Sequence, residues 1–210
     1  MITAEDVAAV AERARRVPPA RESYLEDDFV TNLLATVVDF QTHTTAVERA
    51  LQHFKDNRWD EVRTASDLEE VFKRWPDEKD GNTALAQYLW GYKMWTRAQL
   101  LRRLVEFFRQ EGVHDQPSLR TWAEGSEFKR DFEGRVKGLG IAVYHWLVMR
   151  QGVDTVKPDV HIRRFAESTL GRKLSDEDVV DVMTRAAHHI GMQAYQLDWA
   201  IWEASRDGAI

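Results

Sequence analysis

Apolar residues recur three and four positions apart through nearly every segment of the chain, and few runs alternate as strands do. This spacing gathers the apolar side chains on one face of a helix, and that face must be buried against other helices. The sequence therefore predicts an all-α protein. The predicted helices are 4–17, 28–43, 45–57, 66–74, 82–90, 96–111, 118–123, 127–134, 141–150, 160–170, 176–190 and 194–206.

The length of the chain favours a single domain. With 210 residues, of which 43% are hydrophobic, it can bury one core but is short for two large independent domains. We predict one bilobed domain over 1–210, with lobes of about 28–125 and of 1–27 together with 126–210. Two helix starts are predicted at Ser66 and Ser175, because each serine is followed three residues later by an acid.

The residue types exclude several kinds of chemistry. The chain has no cysteine, which excludes disulfides, cysteine-ligated zinc, iron–sulfur clusters and a thiol nucleophile. His188 and His189 are adjacent on a predicted helix and cannot face one site, so we expect neither a metal nor a cofactor. Acids and arginines interrupt the apolar residues of 1–19, so we expect no signal peptide and no membrane span. We expect a cytoplasmic protein that is a monomer.

The charges are distributed unevenly. The formal net charge of −6 argues against a protein that coats nucleic acid without specificity. Residues 128–173 nevertheless carry ten bases against five acids, and 93–109 hold a second basic run. These segments are either ordinary solvated helix faces or one local phosphate-binding face on an acidic protein.

Gly138, Leu139 and Gly140 separate a short predicted helix from the apolar helix 141–150. Glycines tolerate positive φ and expose their N–H groups, while the leucine between them can anchor the turn in the core. The next helix adds free N–H groups and the positive end of its dipole. This arrangement suits a DNA phosphate, although the same pattern is also typical of a plain helix-to-helix turn.

The residues after that helix carry a resemblance. A loop with Gly152 and Pro158 leads into Asp159-Val160-His161. Together with the glycine turn, this resembles the helix-hairpin-helix, Gly/Pro-rich loop and Asp signature of endonuclease III and its relatives, the helix-hairpin-helix DNA glycosylases. The resemblance implies their bilobed multi-helix fold, DNA contacts by Lys137, Gly138, Leu139 and Gly140, and Asp159 as the catalytic carboxylate. Without a substrate, Asp159 would be an ordinary N-cap of helix 160–170.

Weaker matches extend the resemblance to 29–206. Segment 29–42 looks like the early apolar helix of these enzymes, which ends in a Gln that enters the duplex or lines the pocket, here Gln41. Segments 91–98 and 196–201 resemble the family's Gly-aromatic segment and its final amphipathic helix. The resemblance implies that His161 supports the Asp159 loop or a phosphate. The pocket candidates are Phe40, Ala142, Trp146 and Trp199, although most tryptophans at helical spacing belong to a core.

Departures from the family pattern narrow the implied activity. Enzymes that also cut the strand carry a Lys nucleophile where this chain has Ala142, and adenine glycosylases carry a Glu where it has Ala35. Tyr144 stands where relatives have a small Ala, with consequences for packing or for the pocket. Pro158-Asp159 is similar to the bacterial 3-methyladenine DNA glycosylase II type, which also lacks the Lys.

The resemblance thus implies a monofunctional DNA glycosylase that excises damaged, alkylated bases from duplex DNA, with that duplex as its partner. Two alternatives remain open. One is a DNA-binding or damage-sensing module that keeps the fold without cleaving. The other is a bifunctional glycosylase and lyase whose Lys has moved to Lys137 or Lys157.

Overall fold

A computed structural model describes residues 1–39 and 42–209 of the chain, and these residues contain helices and no strands. The all-α prediction is confirmed. Within that part of the chain the helices are α1 (Ala4–Ala14), α2 (Phe29–Asp39), α3 (Thr44–Asn57), α4 (Ala65–Lys73), α5 (Lys79–Trp90), α6 (Trp95–Gln110), α7 (Gln116–Gly125), α8 (Ile141–Met149), α9 (Val160–Leu170), α10 (Asp176–His189) and α11 (Ala194–Arg206), with a π-helical turn, Phe128–Phe132, between α7 and α8.

The chain divides into two compact units. The first consists of Met1–Leu25 with Ile141–Ile210, and the second of Glu26–Gly140. The first unit therefore contains α1 and α8 to α11, and the second contains α2 to α7 with the π-helical turn. The lobes expected from the sequence divided near 125, whereas these units divide after Gly140, so the glycine turn belongs to the second unit.

In the first unit, α1 packs on α9 and α10, and α11 packs on the same two helices. Their apolar stripes meet in one core that includes Val10, Ile162, Val182 and Ile201, all fully buried. Each of these helices is amphipathic, so joining the stripes removes apolar surface from water on every side. This core fixes the position of α9, whose N-cap is the sequence-predicted carboxylate.

In the second unit, α2 contacts α3 and α6. Ten of its eleven residues are buried, which explains why its sequence is apolar around most of the helix. Aromatic rings of α6, α7 and the π-helical turn form a second cluster, in which Phe108 lies 5.0 Å from Trp122 between ring centres. Phe132 reaches the same cluster at 5.4 Å from Phe107.

Two local expectations change. The cap of α4 is Thr64 and not Ser66. The Thr64 hydroxyl accepts the Asp67 N–H, and the Asp67 carboxylate accepts the Thr64 N–H. This pair satisfies two end groups at once, which leaves Ser66 inside the first turn. The α-helix expected over 127–134 is the π-helical turn instead, closed by the Glu133 N–H on the Phe128 carbonyl at 2.8 Å. The cap at Ser175 is confirmed, since its hydroxyl accepts the Asp178 N–H.

No helix within 1–39 and 42–209 combines the length with the apolar composition needed to cross a bilayer.

Candidate functional site

The glycine turn lies at the end of the second unit. Gly138 has φ 98°, and a Cβ there would also lie 3.1 Å from Leu100 Cδ2, so this position requires glycine. Leu139 is buried and its N–H donates to the Val136 carbonyl at 3.1 Å. Lys137 and Gly140 are exposed, and the Lys137 carbonyl accepts a bond from Arg103 at 3.4 Å. The turn therefore presents an exposed backbone on a buried anchor.

Asp159 is the N-cap of α9 in the first unit. Its Oδ1 accepts the backbone N–H groups of His161 at 2.8 Å and Ile162 at 3.2 Å. Its Oδ2 lies 3.9 Å from Lys157 Nζ, and one fifth of the side chain is exposed. The carboxylate is thus held by one oxygen at a helix end that favours negative charge, while the other oxygen is not used by the helix.

The loop that precedes Asp159 is held from two helices of the same unit. The Thr155 hydroxyl pairs with His145 Nδ1 of α8 at 2.8 Å. Burial lowers the pKa of His145 to about 4, so the ring is neutral at pH 7 and acts here as a hydrogen-bonding group. On the other side, the Lys157 N–H donates to Asp198 Oδ2 of α11 at 2.8 Å.

Asp198 is a site residue that sequence reasoning missed. It is buried, and burial together with the nearby Asp159 charge raises its pKa well above the ordinary value. A signal was present in the sequence. Asp198 falls on the stripe of Ala194, Leu197 and Ile201, where the spacing of a core helix predicts an apolar residue.

The structure brings one aromatic candidate to this loop. The ring of Trp146 lies 4.8 Å from Lys157 Nζ and 4.8 Å from the Arg150 guanidinium carbon. Its indole N–H is buried and has no partner among the described residues, and the same holds for Trp199. Trp199 packs on Tyr24 and Tyr195, with ring centres 5.5 and 4.9 Å apart.

The remaining candidates have varied positions. His161 joins α9 to α11 through Ser205, with Nδ1 and Oγ 2.7 Å apart. Ala142 is half-buried on α8, and Tyr144 is buried two residues later on the same helix. Phe40 and Gln41 lie outside the described residues. Lys137 belongs to the second unit, whereas Lys157 lies beside Asp159.

An open groove of about 560 Å³ runs along α9, starting one residue after Asp159. It is lined by Val160, Arg163, Arg164, Glu167, Ser168, Gly171, Arg172 and Lys173. Several of these cations are paired: Lys173 lies 2.8 Å from Glu167 and Arg172 lies 2.7 Å from Asp6. The Arg164 guanidinium is exposed and has no ion pair in the part of the chain that the structure describes. Four basic side chains line the groove against one acid, and Arg163 also pairs with Asp176, so the positive charge left uncompensated among the described residues is that of Arg164.

The described residues contain no group of three or more His, Asp or Glu side chains that could hold a metal ion. The first unit places a helix-capping carboxylate, a neighbouring ammonium group, a buried acid and a half-buried indole ring around the loop before α9.

The fold and this site define an all-α protein with a carboxylate held at a helix N-terminus beside a basic groove. A family model described as a domain of unknown function, DUF8548, matches residues 41–206. The chain belongs to this family. No curated protein matches the sequence significantly.

Proposed function

We propose that this protein is a monofunctional DNA glycosylase of the helix-hairpin-helix type, which hydrolyses the N-glycosidic bond of damaged, alkylated bases in duplex DNA. The observation that carries the proposal is the Asp159 carboxylate. It follows Pro158 directly, binds two backbone N–H groups of α9 through Oδ1, and keeps Oδ2 outside the helix. The Gly138 turn stands one helix earlier in the sequence, in the order seen in that enzyme superfamily.

One carboxylate suffices for this chemistry. An alkylated purine is already cationic, so the glycosidic electron pair leaves with the base without prior protonation. The sugar then carries positive charge in an oxocarbenium-like state, which a fixed negative charge stabilises. Water adds its oxygen to the sugar carbon and releases a proton. Asp159 supplies the fixed charge, and no amine stands at Ala142 to form a Schiff base.

The basic groove along α9 supports a DNA partner. Binding should weaken as salt rises, because each phosphate contact releases a condensed counterion. We expect Arg164→Ala to make the negative slope of log affinity against log salt shallower by about 0.9, the value for one phosphate contact. Arg16→Ala is the matched control, since Arg16 is also an exposed arginine of the first unit but pairs with Glu12 outside the groove. Equal slopes for both variants would remove the groove from the DNA interface.

A second candidate is the bifunctional glycosylase, and the position of Lys157 favours it. Its ammonium group lies 3.9 Å from Asp159, an ion-pair distance, and proton transfer would need the closer approach of a hydrogen bond. A Schiff base with the opened sugar is trapped covalently by borohydride, so the monofunctional proposal predicts no trapped adduct on any substrate that the protein cleaves. An adduct that disappears in Lys157→Gln would establish the bifunctional reaction instead.

The proposed function is tested by incubating the protein with methylated duplex DNA and measuring free bases and strand breaks separately. Release of methylated purines without strand cleavage is the expected result. Binding to damaged duplex without any release would contradict the proposal and favour a non-catalytic sensor of the same fold.

A further inference from the structure

Asp198 is one of the buried acids that the proposed reaction leaves unused. Only 4% of the residue is exposed, because its neighbours on α11 are core positions. A buried carboxyl requires hydrogen bonds to offset its lost hydration. The bond that it makes outside its own helix goes to the backbone N–H of Lys157, at 2.8 Å, two residues before Asp159.

The connection from that bond to Asp159 is short and stiff. The Lys157 carbonyl accepts the Asp159 N–H at 2.7 Å, so the backbone of Lys157 is bound to Asp198 through its N–H and to Asp159 through its carbonyl. Pro158, which is buried, stands between them and fixes its own φ. A shift of Lys157 is therefore transmitted to the backbone that carries the Asp159 carboxylate.

We propose that Asp198 is a positioning residue, which holds the Lys157–Asp159 segment against α11 and so sets the place of the Asp159 carboxylate. This inference rests on the proposed function for its catalytic consequence. The structural part of it, the hold on Lys157, is independent of any substrate.

The protonation of Asp198 belongs to this role. Burial raises its pKa first, the Asp159 charge raises it further, and Lys157 acts in the opposite direction. The next ionisable groups on α11 and α9 already have hydrogen-bond partners. Glu203 is bound by Arg21 and Tyr24, and His161 is bound by Ser205. This direction favours the neutral form of Asp198, which accepts the Lys157 N–H without placing a second negative charge beside Asp159.

The catalytic test compares three variants in single-turnover base release at saturating DNA. We expect Asp198→Ala to lower the rate about 100-fold, the scale of a displacement of about 1 Å at a reacting group. Asp198→Asn should stay close to the natural rate, because an amide is neutral and its oxygen accepts the same N–H. Glu203→Ala is the matched control: it removes another buried carboxylate of α11, which binds Arg21 and Tyr24 and not the loop. Equal losses in the Ala variants at Asp198 and Glu203 would overturn the positioning role.

A second test needs no activity. Amide hydrogen exchange at Lys157 should accelerate in Asp198→Ala and not in Glu203→Ala, since only the first removes the acceptor of that N–H. If the natural protein releases no base but the Lys157 amide loses its protection in Asp198→Ala, the proposed function is wrong. The structural part of the inference, that Asp198 holds Lys157, is then still supported. Unchanged protection at Lys157 in Asp198→Ala overturns the inference whatever the activity.

The pH dependence of stability supplies a readout that does not require Asp198→Ala to fold. The folded pKa of Asp198 is raised, so its contribution to stability is full below the ordinary value of 3.8 and declines as pH rises. The urea midpoint of the natural protein should therefore fall relative to Asp198→Asn as the pH rises above 3.8. At Glu203 burial is outweighed by the bonds from Arg21, Glu22 and Tyr24, which lower its pKa, so the comparison with Glu203→Gln should run in the opposite direction. If the urea midpoints of the natural protein changed with pH in the same direction relative to Asp198→Asn and relative to Glu203→Gln, the inference that Asp198 is neutral would be wrong.

Discussion

Replacing Asp159 by Asn should abolish most base release and leave the fold intact. Loss of a fixed charge that stabilises a developing charge costs about 10²–10³-fold in rate, so single-turnover release of methylated purines should fall by at least that factor. The Asn side chain still caps α9, because its oxygen accepts the N–H groups of His161 and Ile162 as the carboxylate does. The measurement is the rate of free-base release from methylated duplex at saturating protein, together with the urea midpoint of each variant.

The control for this variant is another N-cap aspartate. Asp115 caps α7 in the second unit, where its Oδ1 accepts the Ser118 N–H at 2.9 Å. Asp115→Asn makes the same chemical change at a helix end and should leave base release unchanged. Retention of natural activity in Asp159→Asn would show that the residue is only a helix cap, and it would remove the basis of the proposed mechanism.

Asp159 also shows which parts of the structure were predictable. The predicted bounds of α9 and α11 agree with the structure, and the ends of α9 carry local signals. Asp159 caps the start of α9, and Gly171 ends it in a left-handed conformation that glycine adopts at little cost. Such signals act within a few residues, so a single sequence contains them in full.

The parts that were not predictable depend on distant residues. The apolar stripe of α11 indicates that Asp198 is buried, but its pairing with Lys157 is decided by the packing of α11 on α9, which no local pattern states. The π-helical turn is similar: Phe132 is anchored by rings of α6 and α7, and this tertiary contact overrides the α-helical period of 127–134. The division after Gly140 also follows from contacts across the whole chain.

Phe108→Ala should be among the most destabilising single changes in the second unit. Phe108 is fully buried on α6 and forms edge contacts with Trp122 and a tilted contact with Phe107, at 5.0 and 5.2 Å between ring centres. Removing a buried Phe ring costs about 3–5 kcal/mol, because lost burial and the cavity left behind add together. Contacts between aromatic rings add stability beyond that expected from their buried area. The measurement is the free energy of unfolding in urea.

Two further variants separate the cavity from other causes. Phe108→Leu refills part of the space and should lose clearly less stability than Phe108→Ala, since the penalty scales with the volume left empty. Arg109→Ala removes the neighbouring exposed side chain, whose partner is Glu106, and should leave the unfolding midpoint nearly unchanged. A loss below about 1 kcal/mol in Phe108→Ala would mean that the cluster collapses around the missing ring. In that case α7 and the π-helical turn would not depend on Phe108 for their place on α6.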